Sequence, residues 1–282
     1  MSASRSGSTV LCNLLGQAGG AFGVGELHRL WDAEALGSRM CSCGELVLHC
    51  PLWRPILQAC YGSAELSDLL PVFTEIQRHR DACARVRHMP QVAPYLSPAL
   101  KRHRQAYLQA LESMYAAIQQ VTGCRVVVDA SKLPAYASVL LYSKRLDARI
   151  LFLTRDARAT AFSWRRRKST VVRGRAFITA QYNTLTSAKE WLITNWAAGR
   201  LARAVAPGRL LHMRYEDVMA DPARSLRRIA QLAGLPEDSL PLRAPNQAEL
   251  STAHLLAGNQ NRFQTGLITL RPDDEWRAAM TP

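Results

Sequence analysis

The sequence lacks several features that define large classes of protein. No stretch approaches the roughly 18 consecutive apolar residues that a membrane-spanning helix requires. Its first residues are mainly Ser, Gly and Arg, without the apolar core of a secretory leader. The seven cysteines are an odd number, which does not favour a secreted disulfide framework. We therefore predict a cytoplasmic protein without a membrane span.

Acidic and aromatic residues are also scarce. The chain has 22 acidic against 36 basic residues, a net charge of +14, and only 7% of its residues are aromatic. This charge favours an anionic partner such as nucleic acid, a membrane surface or a small phosphorylated ligand. The basic run at 165–168, followed by Arg173 and Arg175, lacks the stacking aromatics of nucleic-acid surfaces. We interpret it as a solvated face or a rim that steers an anionic nucleotide, and we predict no nucleic-acid partner.

What the chain does contain is an alternation of short apolar runs and helical periods. Three runs are typical of strands in a parallel sheet covered on both faces: "RVVVD" (125–129), "ARILFLT" (148–154) and "RLLHMRY" (209–215). Helices are predicted over 8–18, 158–168, 186–205 and 222–233. The alternation predicts an α/β fold, a P-loop-like parallel sheet flanked by helices, in a single domain over residues 1–282.

Two connecting regions complete this outline. Residues 61–120 are predicted to be a largely helical insertion, in which Ser97 and Pro98 supply an N-cap and first helical position. The glycine-rich stretch 19–25 is predicted to be a turn.

The stretch "SASRSGST" (2–9) places a glycine-containing turn directly before the first helix. Backbone N–H groups and hydroxyls at a helix N-terminus form an anion site. An ATP-type loop would carry a Lys directly before Ser8, whereas here Arg5 precedes the turn. An ordinary helix N-cap would explain Ser8 or Thr9 but not Arg5. The loop therefore indicates phosphate binding of a kind that differs from the ATP-type loop.

Polar side chains follow two of the predicted strands. Lys132 comes just after the first strand, Arg155 ends the second, and Ser163 lies two turns into the next helix. Ligands of parallel α/β sheets bind where strand ends meet helix N-termini. We therefore expect these side chains to lie near the loop.

These motifs together resemble the sulfotransferases that use 3′-phosphoadenosine 5′-phosphosulfate (PAPS). "RSGST" (5–9) matches the family's 5′-phosphosulfate loop, and Arg155-Asp156 with Ser163 matches its 3′-phosphate motif. The segment 213–236 resembles a further family motif, and "HLLAGNQNRF" (254–263) resembles its closing segment. The resemblance runs from residue 2 to about 277. It assigns the nucleotide contacts to Arg5, Ser6, Gly7, Ser8, Thr9, Arg155, Ser163, Asn259 and Arg262.

The resemblance implies transfer of a sulfuryl group from PAPS to a hydroxyl or amine of an acceptor, which could be a small molecule, glycan, lipid or peptide. Such in-line transfer depends on positioning and on stabilisation of charge. No metal is expected, because this nucleotide has no γ-phosphate that needs Mg²⁺. Arg5 and Lys132 are expected to stabilise the charge that develops on the leaving nucleotide.

Glu26, in "GVGELHRLW", is the predicted general base. It resembles the acidic residue that part of the family, including tyrosylprotein sulfotransferases, carries in a G-E segment. Partial burial would raise its pKa toward neutrality, and nearby Arg charges would oppose this. The alternatives are a surface ion pair between Glu26 and Arg29, and His28 as the base. Arg29 and His28 are otherwise predicted to contact the acceptor.

Cysteines are concentrated at 41–60. Cys41, Cys43 and Cys50 could hold a structural zinc ion, but the spacing lacks paired C-x2–4-C knuckles. Packed reduced thiols or a facultative disulfide are favoured over zinc.

The loop also lacks the strand of about five residues that precedes it in the family. Residues 1–4 span at most about 14 Å and are not apolar. Of two explanations, a chain start placed too late or a short, poor strand, the first is favoured.

Two other functions remain open at this point. One is a P-loop-type small-molecule kinase of similar fold, which the missing loop Lys and the Arg155/Ser163 pair argue against. The other is a non-catalytic protein that binds nucleotides or polyanions.

Overall fold

The computed structural model describes residues 1–167, 169–178 and 180–280, and all structural statements concern these residues. The helices are α1 (Ser8–Leu15), α2 (Trp53–Tyr61), α3 (Leu66–Cys83), α4 (Pro98–Thr122), α5 (Pro134–Leu140), α6 (Ala157–Arg165), α7 (Thr184–Ala202), α8 (Tyr215–Ala220), α9 (Pro222–Ala233) and α10 (Glu275–Ala279). The strands are β1 (Ala21–Gly25), β2 (Val126–Asp129), β3 (Ile150–Thr154), β4 (Ser169–Val172), β5 (Arg175–Ile178), β6 (Leu210–Arg214), β7 (Leu242–Ala244), β8 (Gln247–Leu250) and β9 (Gly266–Thr269).

The centre of the fold consists of two parallel strand pairs. β1 pairs with β2, and β3 pairs with β6. The predicted strands β2, β3 and β6 are therefore confirmed, and so is the α/β class with parallel pairing. Helices α1, α8 and α9 pack on one apolar core with strands β7 to β9. The polar side chains lie at or just after the carboxyl ends of these strands, within residues 25–26, 129–132 and 154–155.

The first two residues connect the strand pairs. The Met1 amino group donates to the Leu151 carbonyl at 2.6 Å, and Leu153 N–H donates to the Met1 carbonyl at 3.0 Å. On the other side, Ser2 N–H donates to the Lys132 carbonyl at 3.0 Å. A cavity of about 540 Å³ lies between β2 and β3. The loop is thus joined to β3 by a two-residue pairing in place of a full strand.

The prediction of a turn over 19–25 is wrong, because Ala21–Gly25 forms β1. The glycines of this strand make it look like a turn in the sequence. They are needed because other segments pack closely against the strand. A Cβ atom on Gly23 would lie 2.9 Å from the Cys12 carbonyl oxygen, and one on Gly25 would lie 2.4 Å from that of Ala257. Such distances are excluded, so only glycine allows α1 and the 255–257 segment to approach the strand.

Helices α2, α3 and α4 form a lobe around a second apolar core, in agreement with the predicted helical region 61–120. The start of α4 is as predicted, since Ser97 accepts a hydrogen bond from Leu100 N–H and Pro98 occupies the first turn. Trp53, Phe73 and Tyr107 are fully buried here.

The other predicted helices are confirmed, α9 with the predicted ends and α1, α6 and α7 with shifted ends. α6 ends at Arg165 because Arg166 turns out of the helix to pair with Asp273 and Glu275, and Lys168 lies outside the described residues. The basic run is followed by an antiparallel hairpin of β4 and β5. Within the described ranges, no helix has the length and apolarity needed to cross a bilayer.

Candidate active site

The loop at 4–9 turns sharply into α1. Arg5 and Gly7 both have positive φ, 68° and 86°. A Cβ on Gly7 would lie 2.8 Å from the Tyr215 ring, so the turn requires glycine for two reasons. Gly7 caps α1 without a side-chain hydrogen bond, which leaves N–H groups of the first turn available to an anion.

Polar atoms around this turn are buried without hydrogen-bond partners. In the part of the chain that the structure describes, these are Nε and Nη2 of Arg5 and the Ser6 hydroxyl. Arg5 stacks on Trp164 with its guanidinium carbon 4.6 Å from the ring centroid. Burial and the neighbouring Arg166 lower the pKa of Arg5 from its ordinary value. Unpartnered buried donors are costly, and an oxyanion would satisfy several of them at once.

Arg155 supports the same turn from β3. Its Nη1 donates to the Arg5 carbonyl at 2.8 Å, its Nη2 lies 3.2 Å from an Asp273 oxygen, and its guanidinium stacks on Tyr215. Its Nε has no partner among the described residues. Burial would raise the pKa of Asp273, but Arg166 and Arg155 outweigh it and hold this pKa below its ordinary value. Ser163, also buried, lies on α6 beside Trp164, the residue that stacks on Arg5.

The closing segment folds onto the loop as well. Asn259 N–H donates to the Thr9 hydroxyl at 3.2 Å, and a Cβ on Gly258 would lie 3.1 Å from the same hydroxyl. Arg262 Nη1 donates to the Gly258 carbonyl at 2.7 Å, while its Nε is buried without a partner in the described ranges. Burial lowers the pKa of Arg262 to about 10. This guanidinium is therefore a further partly satisfied cation close to the loop.

Glu26 and Lys132 form an ion pair between the ends of β1 and β2. The Glu26 side chain is only 12% exposed, and Arg29 approaches its other oxygen at 3.6 Å. Burial raises the pKa of Glu26, but the charges of Lys132 and Arg29 together bring it below the ordinary value. The carboxylate is therefore buried, not on the surface, and it pairs with Lys132 and Arg29, while its role as the base stays a prediction.

His28 lies beside this pair. Its backbone N–H donates to the Ser131 hydroxyl at 3.1 Å, and Arg80 from α3 donates to its carbonyl at 2.7 Å. Burial lowers the pKa of the His28 ring to about 4, so the ring is neutral at physiological pH. Its Nδ1 is buried without a partner in the described chain.

Sequence reasoning missed the network that fixes the end of β2. One oxygen of Asp129 accepts from Ser131 N–H at 2.7 Å and from its hydroxyl at 2.5 Å. The other accepts from Tyr115 at 2.7 Å and from Tyr136 at 2.8 Å. Burial raises the pKa of Asp129 despite these bonds. An Asp at the end of an apolar strand was the available signal, but its partners come from α4 and α5.

Sequence reasoning also missed an acidic residue in the stretch 270–277. Trp276 is buried, and Asp273 in the same stretch is the partner of Arg155 and Arg166. The predicted loop, strand-end and closing-segment residues therefore meet at one edge of the sheet, with acidic and aromatic supports that the sequence did not reveal.

Comparison with solved structures supports the fold. The chain is similar to the "Sulfotransferase Domain from the Curacin Biosynthetic Pathway", with 16% identity, a TM-score of 0.53 and coverage of 100% of this chain and 90% of the other. It is also similar to the "Sulfotransferase Domain from the Synechococcus PCC 7002 Olefin Synthase", with 21% identity, a TM-score of 0.52 and coverage of 100% and 86%. At these identities the likeness concerns the fold alone.

Residues 1–239 match the sulfotransferase family. A comparison with curated proteins found no match. Because the family match covers most of the chain and agrees with the fold, the chain belongs to the sulfotransferase family, as the motifs indicated. It is therefore a transferase of sulfuryl groups.

Proposed function

We propose that the protein transfers the sulfuryl group of PAPS to a hydroxyl or amine of a small-molecule, glycan, lipid or peptide acceptor. The observation that carries this proposal is the set of buried, unpartnered donors around the 4–9 turn, at the open N-terminus of α1. Arg5 Nε and Nη2 with the Ser6 hydroxyl fit the oxygens of a phosphosulfate. Sulfuryl transfer is the family's activity, and PAPS is the donor that such a site suits.

The nucleotide would be held at two places. The 5′-phosphosulfate is assigned to the turn, where Arg5 and the amides of residues 7–9 stabilise negative charge. The 3′-phosphate is assigned to Arg155, Ser163, Asn259 and Arg262. In the described chain, the unpartnered Nε atoms of Arg155 and Arg262 support this assignment.

PAPS supplies the activated sulfuryl group. In the step that we propose, the acceptor oxygen forms a bond to sulfur as the bond from sulfur to the bridging oxygen breaks. The electron pair stays on the 5′-phosphate of the leaving nucleotide, where Arg5 and Lys132 offset the charge. Glu26 takes the acceptor proton.

The ion pair of Glu26 and Lys132 implies that donor binding comes before proton transfer to Glu26. A phosphate beside the loop competes with Glu26 for the Lys132 ammonium. When Lys132 turns to the phosphate, burial dominates and the pKa of Glu26 rises, which makes it a stronger base. The base would thus be activated by donor binding.

The acceptor is assigned to the side of α3. Arg80 extends from α3 to the His28 carbonyl and lies 2.7 Å from an Asp32 oxygen. This places the helical lobe against the segment that carries Glu26, His28 and Arg29, so the lobe can shape the space for the acceptor.

The test is calorimetric titration with 3′-phosphoadenosine 5′-phosphate (PAP), ADP and AMP. We expect PAP to bind most tightly, and Arg5→Ala or Arg155→Ala to weaken it about 10- to 100-fold, since each removes charge-assisted hydrogen bonds. Arg243→Ala is the control, because Arg243 is exposed and bonded only to Glu249 among the contacts that the structure describes.

The nucleotide ranking separates the alternatives. Equal, weak binding of all three nucleotides would exclude PAPS as the donor. If that weak binding also depends steeply on salt concentration, the result would favour a polyanion-binding protein. Preference for ADP, with magnesium-dependent turnover of ATP, would favour a kinase. If PAP binds most tightly, transfer of ³⁵S-sulfate from PAPS to a panel of phenols, sugars, lipids and tyrosyl peptides identifies the acceptor class.

A further inference from the structure

Four metal-ligating side chains meet away from the donor site. They are Cys41, Cys43 and Cys50 from the segment before α2, and His254, the first residue of the closing segment 254–263. Their ligand atoms all lie within 4.8 Å of one another. Three of these residues are close together in the sequence, but the fourth is about 200 positions away, which is why the spacing did not predict a complete site.

Four of the six ligand-to-ligand distances in this Cys3His cluster are close to those around one tetrahedral ion. Cys50 Sγ lies 3.6 Å from Cys41 Sγ and 3.7 Å from Cys43 Sγ. Two sulfurs bound to one zinc at about 2.3 Å are about 3.8 Å apart in a tetrahedron, whereas a disulfide requires about 2.05 Å. His254 Nδ1 lies 3.2 Å from Cys50 Sγ and 3.8 Å from Cys41 Sγ, near the corresponding sulfur–nitrogen edge of about 3.5 Å.

The backbone holds the cysteine side of the cluster in place. Cys41 N–H donates to the Glu45 carbonyl at 2.8 Å, and Gly44, with φ 90°, returns a hydrogen bond to the Cys41 carbonyl at 3.0 Å. These two bonds close a tight turn that carries Cys41 and Cys43.

The histidine side is equally fixed. Ser42 accepts a hydrogen bond from Leu255 N–H at 2.8 Å and donates to the Ala253 carbonyl at 2.7 Å, so it holds the backbone on both sides of His254. Trp53 Nε1 donates to the His254 carbonyl at 2.7 Å. The ligand set is therefore preorganised by residues that are not ligands themselves.

We propose that Cys41, Cys43, Cys50 and His254 bind one structural zinc ion. Three sulfur ligands and one imidazole in a closed tetrahedron select zinc, and the absence of an open position indicates a structural role. This inference rests on the cluster's geometry and not on the proposed donor or acceptor.

The ion would fix the segment that completes the donor site. From His254 the chain continues to Leu256, whose N–H donates to the Val24 carbonyl at 2.9 Å, and to Ala257, whose carbonyl accepts from Glu26 N–H at 3.2 Å. Asn259 then contacts Thr9. Zinc at the start of this segment would set its register against β1 and the loop.

The first experiment measures zinc in the full chain, purified without a histidine tag, under reducing conditions and without chelators. We expect about one zinc per chain by mass spectrometry, and tetrahedral thiolate–cobalt absorption after exchange with cobalt. A content below about a tenth of an equivalent after zinc reconstitution, together with no cobalt–thiolate absorption, would overturn the proposal.

The variants are Cys50→Ser and His254→Asn, with Cys60→Ser as the control because Cys60 packs on the same core but lies outside the cluster. We expect the first two to lose zinc and about 5–10 °C in Tm, and the control to keep its zinc. Equal zinc in all four proteins would contradict the site.

If the ligand variants do not fold, the wild-type chain still decides the question. A mercurial reagent that titrates thiols should release the zinc, and thiol counting after denaturation should find all seven cysteines reduced. A count lower by two in the unreduced protein, with peptide mapping that locates the disulfide among Cys41, Cys43 and Cys50, would overturn the zinc assignment.

Discussion

Two carboxylates at the ends of neighbouring strands have pKa values that are shifted in opposite directions. Asp129 ends β2 opposite Gly25, and Glu26 is the next residue after Gly25. Burial raises the pKa of both groups, but Glu26 pairs with Lys132 and Arg29, which bring its pKa below the ordinary value. Asp129 receives neutral hydroxyl and amide donors, and its pKa stays raised.

The comparison shows that the kind of neighbour, not burial, sets the direction in which the pKa of each carboxylate is shifted. The bonds of Asp129 come from Ser131, two residues away, and from tyrosines fixed by α4 and α5, so this carboxylate has no reason to exchange them. The strongest bond of Glu26 comes from a flexible lysine that an incoming phosphate can attract. Glu26 is thus suited to change its state during a reaction, and Asp129 to hold the end of β2.

The largest effect is expected for Glu26→Gln. If Glu26 is the base, sulfuryl transfer to an acceptor found in the panel should fall about 10²- to 10⁴-fold, because the amide cannot accept the proton. PAP affinity should change little. A loss no greater than that of His28→Asn would remove the distinction between the two candidate bases.

Next is Asp129→Ala, which should reduce the free energy of unfolding by about 3 kcal/mol, since it leaves the Tyr115 and Tyr136 hydroxyls and the Ser131 N–H without their acceptor. Urea denaturation measures this, with Tyr115→Phe as the milder variant. Because the pKa of Asp129 is raised, its contribution to stability should increase as pH falls through that pKa. An unchanged midpoint in Asp129→Ala would contradict the structural role.

Lys132→Met should raise the pKa of Glu26, since it removes the strongest cation and leaves burial. Titration of ¹³C-labelled Glu carboxyls measures this, with Glu26→Gln assigning the signal. In the wild type, the pair's contribution to stability is present above the ordinary Glu pKa and is lost as pH falls through the depressed one. A Glu26 signal that titrates at the same pH in both proteins would show that Lys132 does not control it.

The smallest effect is expected for Arg29→Gln. Arg29 lies 3.6 Å from Glu26, and its side chain is 52% exposed, so solvent screens the pair. The Glu26 pKa should rise less than in Lys132→Met, and stability should change by less than about 0.5 kcal/mol. A rise equal to that of Lys132→Met would mean that Arg29 is an equal partner in the pair.

The sequence was informative where a signal is local. The loop motif, the apolar strands β2, β3 and β6, and the Ser97-Pro98 helix start each depend on a few consecutive residues, and the structure has them where they were predicted. β1 was missed because its glycines serve close packing with distant segments, which consecutive residues do not reveal. The roles of the predicted site residues remain predictions, although the structure brings these residues together.

By itself the sequence determined the α/β class and the sulfotransferase family, and it predicted anion binding at residues 4–9, because propensity and motif chemistry reside in neighbouring residues. Only the tertiary structure decided which charges neutralise one another, Lys132 with Glu26 and Asp273 with Arg155, and only it brought His254 to three cysteines. Electrostatic and ligand interactions act over a few ångströms of space, and the fold alone places residues 100 or 200 positions apart within that range.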